Sequence, residues 1–246
     1  MEEKNKVLLK EGDFLLIDYE IRLKDTNELL DTNIEDVAKK EKYAKEEMRF
    51  EPLLVILGKG YFQKYVEEEM IKNGVILGIK NTIEVPPQFA FGIREPQKIK
   101  VINAKELSKE GILPRAGQRI KIRDQEATII TVSGGRVVVD FNHPLAGKTI
   151  VYHIIPKRKI ESLEEKILHL VIRRVKTIEK EKVNINIEEN SLTIKFKEDV
   201  LDYSELAPAL KILITEIEET TPNITNLKFI IEKEKPKEIQ ERKLTG

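Results

Sequence analysis

Pro86-Pro87 stops a strand-like run over residues 76–85, and an apolar strand resumes only over residues 149–155. Proline has no amide proton to give a ladder, so a strand does not continue through such a pair. The intervening segment carries its own signals. Asn103-Ala104-Lys105-Glu106 has the form of a capping box with Asn in place of Ser or Thr, and Gly111 closes the short helix it opens. Strand-like runs follow over residues 119–122, 127–132 and 136–141, with Ser133-Gly134-Gly135 as the hairpin between the last two. This is a small β-rich module.

Ahead of it, residues 14–23 become strictly alternating. Ile17, Tyr19, Ile21 and Leu23 fall on one face and Asp18, Glu20 and Arg22 on the other, which predicts a half-buried strand. Lys24-Asp25-Thr26-Asn27 is turn material, and residues 28–31 return as a second strand. Residues 32–50 read as a long polar loop with a helical turn. Residues 53–57 form a buried strand stopped by Gly58. Phe62, Val66 and Met70 then recur at helical spacing, with Gly74 where a C-terminal cap belongs.

Beyond residue 157 a separate unit begins. Ser162 with Glu165 is a capping box opening a helix that runs to about Thr177. Val183, Ile185 and Ile187 alternate, as do Leu192, Ile194 and Phe196, with a turn at Glu189-Asn190. Leu206, Leu210, Leu213 and Ile217 mark a second helix, and Leu227, Phe229 and Ile231 a last strand. The order is αββαβ, an α+β pattern. The charged tail from Lys233 is expected to fray.

The 43 basic and 43 acidic side chains cancel, which argues against a protein that lives on nucleic acid or an anionic membrane. There is no cysteine, hence no disulfide, thiol nucleophile or thiolate metal site. Three histidines are too scattered for an evident metal cluster. His143 and His153 could approach one another, but the usual further ligands are missing; His169 reads as structural. No apolar run is long enough to span a membrane, and no signal-peptide core is seen, so a cytoplasmic protein is expected. Phosphate-cradle and nucleophile-elbow motifs are absent, and Gly58-Lys59-Gly60 reads as a turn. Eleven of the fourteen Phe and Tyr precede residue 157, which places a ring-rich binding surface in the first portion. The residues by themselves describe a binding protein or a catalyst that needs no nucleophile.

Several of these segments together resemble the FKBP-type peptidyl-prolyl cis-trans isomerases, in the long archaeal form related to the bacterial SlyD chaperones. The resemblance is carried by Asp18-Tyr19, Leu30-Asp31, the run from Leu53 to Gly58, Phe89-Ala90-Phe91-Gly92 as an aromatic-Ala-aromatic-Gly flap, and Asn142-His143-Pro144-Leu145-Ala146-Gly147. In that subfamily the last motif marks the return from an inserted "insert-in-flap" domain. The resemblance covers residues 7–157, with weaker support for the C-terminal unit. It implies an α+β fold with an FKBP-like antiparallel sheet and one helix over 1–92 and 142–157. An inserted client-binding domain would occupy 93–141, and a C-terminal αββαβ domain 158–246.

It also implies a groove in which X-Pro bonds rotate. Tyr19, Asp31, Phe91 and Tyr152 would be its catalytic residues, and Leu30, Leu53, Phe62, Gln63 and Val66 would bind substrate. Tyr19 and Phe91 would be walls and Val66 the floor. The Gln63 N–H would donate to the substrate carbonyl, and Asp31 would be a polar rim group hydrogen-bonded to Tyr19. Read without the resemblance, Tyr19, Leu53, Phe62 and Tyr152 could equally be core, and Asp31 a turn residue. Phe62-Gln63-Lys64-Tyr65 departs from the family pattern: Tyr65 replaces a glycine that tolerates positive φ, Gln63 replaces an aliphatic residue, and Tyr65 could crowd the groove.

In the inserted module Val101, Ile102, Leu107, Ile112 and Leu113 are candidates for a client surface or for the module's own core. The implied function is a folding helper: a prolyl isomerase that binds unfolded or proline-containing chains, with no cofactor, no metal, and no nucleic acid or membrane partner. The alternative is a holdase with a weak or inactive groove. The C-terminal unit could pair with a second copy through a sheet edge.

Overall fold

In a computed structural model, residues 6–44, 48, 50–175 and 178–233 are described. The chain divides into two units, residues 1–11 with 16–158 and residues 12–15 with 159–246. In the first, β1 (Lys6–Val7), β2 (Phe14–Leu23) and β3 (Leu29–Thr32) are followed by α1 (Glu35–Lys40), β4 (Leu53–Ile56) and α2 (Lys64–Asn73). Next come β5 (Val75–Ile76) and β6 (Asn81–Val85). The long strand β11 (Ile150–Ile160) returns after the inserted segment to pair with β6. The main sheet has the order β3-β2-β11-β6, with β4 also on β2.

The expectation of a half-buried β2 is corrected. Glu20 and Arg22, on its polar face, are each only 8% exposed. The charges satisfy one another: Arg22 donates from Nε to Glu20 at 3.0 Å and from Nη1 to the Asn27 carbonyl at 2.9 Å, while Lys80 donates to Glu20 at 3.2 Å. Burial alone would raise the Glu20 pKa, but Arg22 and Lys80 hold it below its ordinary value. Alternation set the strand's period correctly; what covers its second face comes from residues far along the chain.

The single strand expected over residues 76–85 is two. Gly78, at φ +73, turns the chain, and Asn81 clamps the turn by accepting from the Ile76 N–H at 3.1 Å and donating to the Ile79 carbonyl at 2.7 Å. Strand β5 then pairs with β1, and β6 with β11. Gly74, at φ +66 after α2, admits no side chain: a Cβ there would lie 2.8 Å from the Val7 carbonyl oxygen.

The inserted segment contains β7 (Ile99–Asn103), α3 (Ala104–Lys109), β8 (Arg119–Ile122), β9 (Gln125–Ser133) and β10 (Arg136–Asp140), with sheet order β7-β10-β9-β8. Strand β7 is absent from the sequence reading because Ile99, Val101 and Ile102 do not alternate. Asn103 does cap α3, accepting from the Lys105 N–H at 3.0 Å. The segment has its own core of Leu107, Ile120, Ile122, Ala127, Ile129, Val137 and Val139. Its two ends are tied together. Asn142 accepts from the Glu95 N–H at 2.9 Å and donates to the Glu95 carbonyl at 3.0 Å, and Arg94 pairs with Asp140 at 2.7 Å.

The second unit runs α4 (Leu163–Arg174), β12 (Val183–Glu188), β13 (Ser191–Lys197), α5 (Leu206–Thr220) and β14 (Asn226–Glu232), the order that the periodicities predict. Strands β12 and β13 are antiparallel; β13 and β14 are parallel. The Ser162 hydroxyl caps α4, accepting from the Glu165 N–H at 3.2 Å. Helix α4 ends at Arg174, and the expected end near Thr177 falls outside the described residues, as does the tail after Lys233. Leu192, Ile194, Leu213, Ile167 and Leu170 are fully buried, and Phe196 stacks on Phe229 at 6.3 Å. Among the described residues no helix is long and apolar enough to cross a membrane.

Candidate active site

Tyr19 sits mid-way along β2, and its backbone is fixed by side chains at the end of β3 and just past it. Asn33 Oδ1 accepts from the Tyr19 N–H at 2.7 Å, and the Thr32 hydroxyl donates to the Tyr19 carbonyl at 2.6 Å. Asn33 also donates to the carbonyls of Ile17 and Glu51, at 2.9 and 3.0 Å. The Tyr19 ring is thereby aimed at Phe62. Their centroids are 5.6 Å apart with an interplanar angle of 78°, and Tyr152 from β11 stands edge-on to the same ring at 5.7 Å and 74°. Three rings, from β2, from the turn before α2 and from β11, therefore meet at Phe62.

Phe62 is held by a residue that sequence reasoning missed. The carboxylate of Glu67, 3% exposed, reaches back from α2 and accepts from the N–H groups of Gly58 at 2.7 Å, Phe62 at 2.9 Å and Gly60 at 3.3 Å. These donors precede the helix and have no ladder to join, so a buried carboxylate takes the place of one. No sequence signal separates Glu67 from its neighbours Glu68 and Glu69; only the fold turns it inward. Val66, beside it, is fully buried.

Asp31 accepts from the Tyr19 hydroxyl at 3.0 Å, as the resemblance implies, and also from Tyr43 at 3.3 Å. Tyr43 was not among the expected residues, since it lies in a polar stretch with no period to flag it. Burial, and then the Asp31 carboxylate, raise the pKa of the Tyr19 phenol; the same two causes raise Tyr43, and push Tyr152 up to about 12. A raised phenol keeps its proton in the folded protein at a pH where the unfolded chain has lost it. The stabilisation is therefore complete below the ordinary tyrosine range of about 10 and is lost as pH climbs toward 12. Absorbance titration near the tyrosinate band should show late-ionising phenols, with unfolding setting in across that window. Ordinary titration of all six tyrosines in the folded protein would contradict it.

Leu30 and Leu53 are partly buried on β3 and β4. Gln63 is the N-cap of α2; its N–H bonds to no described residue, and its side-chain Oε1 is buried without a partner. Two expectations change. Phe91 is 37% exposed, and among the described residues its ring contact is with His143, stacked at 4.6 Å, rather than with the cluster on Phe62. Tyr65 lies inside α2 without positive φ, so replacing a glycine there costs no backbone strain. Its ring stacks on Phe89 of the flap at 4.8 Å.

The five apolar residues singled out in the inserted module separate. Leu107 is core, 1% exposed, which removes it from any client surface; it anchors α3 on the sheet. Ile102 and Ile112 are partly buried against that core. Val101 and Leu113 are exposed, at 65% and 70%.

A site of this kind can act on a bond without breaking it. The barrier to X-Pro rotation, ~18–20 kcal/mol, is lost amide resonance. An apolar pocket that desolvates the imide, with a donor for the neighbouring carbonyl, favours the twisted state over the planar one.

The family model described as "FKBP26, IF domain" matches residues 100–145. A short-type peptidyl-prolyl cis-trans isomerase of Methanocaldococcus jannaschii is 33% identical over 147 residues, 60% of this chain and 91% of that protein. The FKBP-type peptidyl-prolyl cis-trans isomerase SlyD of Helicobacter pylori is 30% identical over 158 residues, 62% of this chain and 76% of that protein. An FKBP-type 16 kDa peptidyl-prolyl cis-trans isomerase of Escherichia coli is 30% identical over 108 residues, 42% of this chain and 70% of that protein. The chain belongs to the FKBP-type peptidyl-prolyl cis-trans isomerases, and it is an isomerase.

Proposed function

We propose that X-Pro rotation takes place against the ring cluster of Tyr19, Phe62 and Tyr152, and that the inserted module captures unfolded chain for that groove. The observation that carries the reading is the convergence of these rings from three distant parts of the chain on one residue, Phe62, clamped by a buried carboxylate. In this reading Val66 is the floor, Leu30 and Leu53 border the groove, and the free N–H of Gln63 holds the substrate carbonyl. Asp31 fixes the Tyr19 ring, and Phe91, held on its His143 stack, is a wall contributed by the flap. Residues 93–141 act as the capturing part, whose two ends are held side by side by the Asn142–Glu95 and Arg94–Asp140 contacts.

Capture raises the local concentration of prolyl bonds at the groove. It should make refolding limited by proline isomerisation faster than the tetrapeptide reaction predicts, by about a hundredfold in kcat/KM. A protease-coupled tetrapeptide assay run beside refolding of a proline-limited protein measures both. Equal values would remove the capturing role. Suppressed aggregation with negligible acceleration of either substrate would favour the holdase alternative.

A further inference from the structure

The inserted module is basic in a chain that is neutral: residues 93–141 hold ten Lys and Arg against six Asp and Glu. The excess is concentrated at one edge of its sheet. Strand β8 pairs with β9 alone among the described residues. The turn Arg123-Asp124, both at positive φ, closes the two as a tight hairpin. Ile122 faces Gln125 and Ile120 faces Ala127, while the Gln118 carbonyl accepts from the Ile129 N–H at 2.9 Å. Residues 120 and 122 and the Gln118 carbonyl thus spend their backbone groups on β9, the Gln118 N–H donating to the Arg115 carbonyl at 3.1 Å, and the intervening Arg119 and Lys121 turn theirs to the open edge.

A hollow of about 640 Å³ lies along this edge, lined by Ile112, Leu113 and Ile120 together with Arg115, Arg119 and Lys121. A second, of about 500 Å³, shares Arg119, Ile120 and Lys121 and continues to Phe141, His143 and Pro144. His143 is the residue stacked on Phe91 of the flap. The first hollow has no carboxylate in its lining. Lys121 does pair with exposed Asp124 at 2.9 Å and stands opposite Glu126, which lines the second hollow. Arg115 and Arg119 pair with no carboxylate among the described residues.

We propose that this edge is the module's capture track and that it takes extended polypeptide in which aliphatic and acidic residues alternate. The inference rests on the client-capturing reading and adds its selectivity. The free backbone groups call for another extended backbone. Side chains of an added strand alternate in direction, so one set meets Leu113 and Ile112 and the other meets the cations. Such a strand leads toward His143 and the flap, which gives captured chain a route to the groove.

The test uses the full chain and three fluorescent, proline-free peptides of equal length. They share alternate Val and Leu and carry Asp, Ser or Lys between them; lacking proline, they bypass the groove. Fluorescence anisotropy should show the Asp peptide binding about tenfold more tightly than the Lys peptide at low salt. The gap should close at about 0.5 M salt as the charges are screened. The double variant Arg115→Glu, Arg119→Glu should reverse the order while tetrapeptide isomerisation stays unchanged, which also shows that it folds. Equal binding of Asp and Lys peptides, or an order that survives charge reversal, overturns the inference but leaves client capture standing. If none of the three binds, both fall. Displacement of the Asp peptide by an equal concentration of single-stranded RNA assigns the edge to nucleic acid and also overturns it.

Discussion

Glu67→Ala should lower the stability of the first unit by about 3–5 kcal/mol, because it strands buried N–H groups at about 1–3 kcal/mol each. The loss falls on Gly58, Gly60 and Phe62, whose amides converge on this one carboxylate. A domain is stable by only about 5–15 kcal/mol, so the variant is near the limit of folding. Glu67→Gln keeps acceptor capacity at one oxygen but turns an NH2 group toward donors, and should cost roughly half as much. The chain has no tryptophan, and five of its six tyrosines precede residue 157. Urea unfolding followed by tyrosine fluorescence therefore reports mainly on the unit in question. A midpoint unchanged in Glu67→Ala would mean that water or another group takes over the three amides, and that the turn before α2 is not organised as described.

That turn also shows where sequence stops being informative. The strand period at residues 14–23, the helix spacing of Phe62, Val66 and Met70, and the Ser162 cap are local facts, set within a few residues of each other, and each can be read directly. So could the flap and return motifs, because together they bracket a segment with its own helix and hairpin signals. The clamp at Glu67 spans an aperiodic turn and Tyr43 reaches Asp31 across 12 positions, while the covering of Glu20 and Arg22 draws in Glu41 and Lys80 from 19 and 60 positions away. Periodicity carries no information at that range. Leu113 against Leu107 is a sharper instance: two leucines in one small module, one exposed and one core, are distinguished only by which sits on the buried side of α3. Tyr65 is instructive in the other direction. A family comparison flags it as a strained intruder, whereas its backbone is helical and its ring is taken up by Phe89.

Phe62→Ala should cost about a hundredfold in kcat/KM for an X-Pro tetrapeptide, equivalent to about 2.7 kcal/mol of transition-state stabilisation. Phe62 is 7% exposed, and both Tyr19 and Tyr152 stand edge-on to it. Its removal would take away the apolar body of the proposed groove and the ring that Tyr19 and Tyr152 share. Each edge contact is worth roughly 0.5–1.5 kcal/mol beyond burial, and the truncation costs about 3–5 kcal/mol of stability. Activity must therefore be compared at a temperature where the variant is folded, and Phe62→Leu supplies a milder version that keeps most of the volume. Tyr19→Phe makes the opposite cut: it keeps the ring and removes only the hydroxyl that donates to Asp31. If desolvation by an apolar wall drives rotation, Tyr19→Phe should lose less than about fivefold while Phe62→Leu loses more, because only the latter changes the surface against which the imide twists. Were Tyr19→Phe to cost as much as Phe62→Ala, the hydroxyl and Asp31 would be acting on the transition state themselves. The catalysis would then be electrostatic, and the rings merely its support.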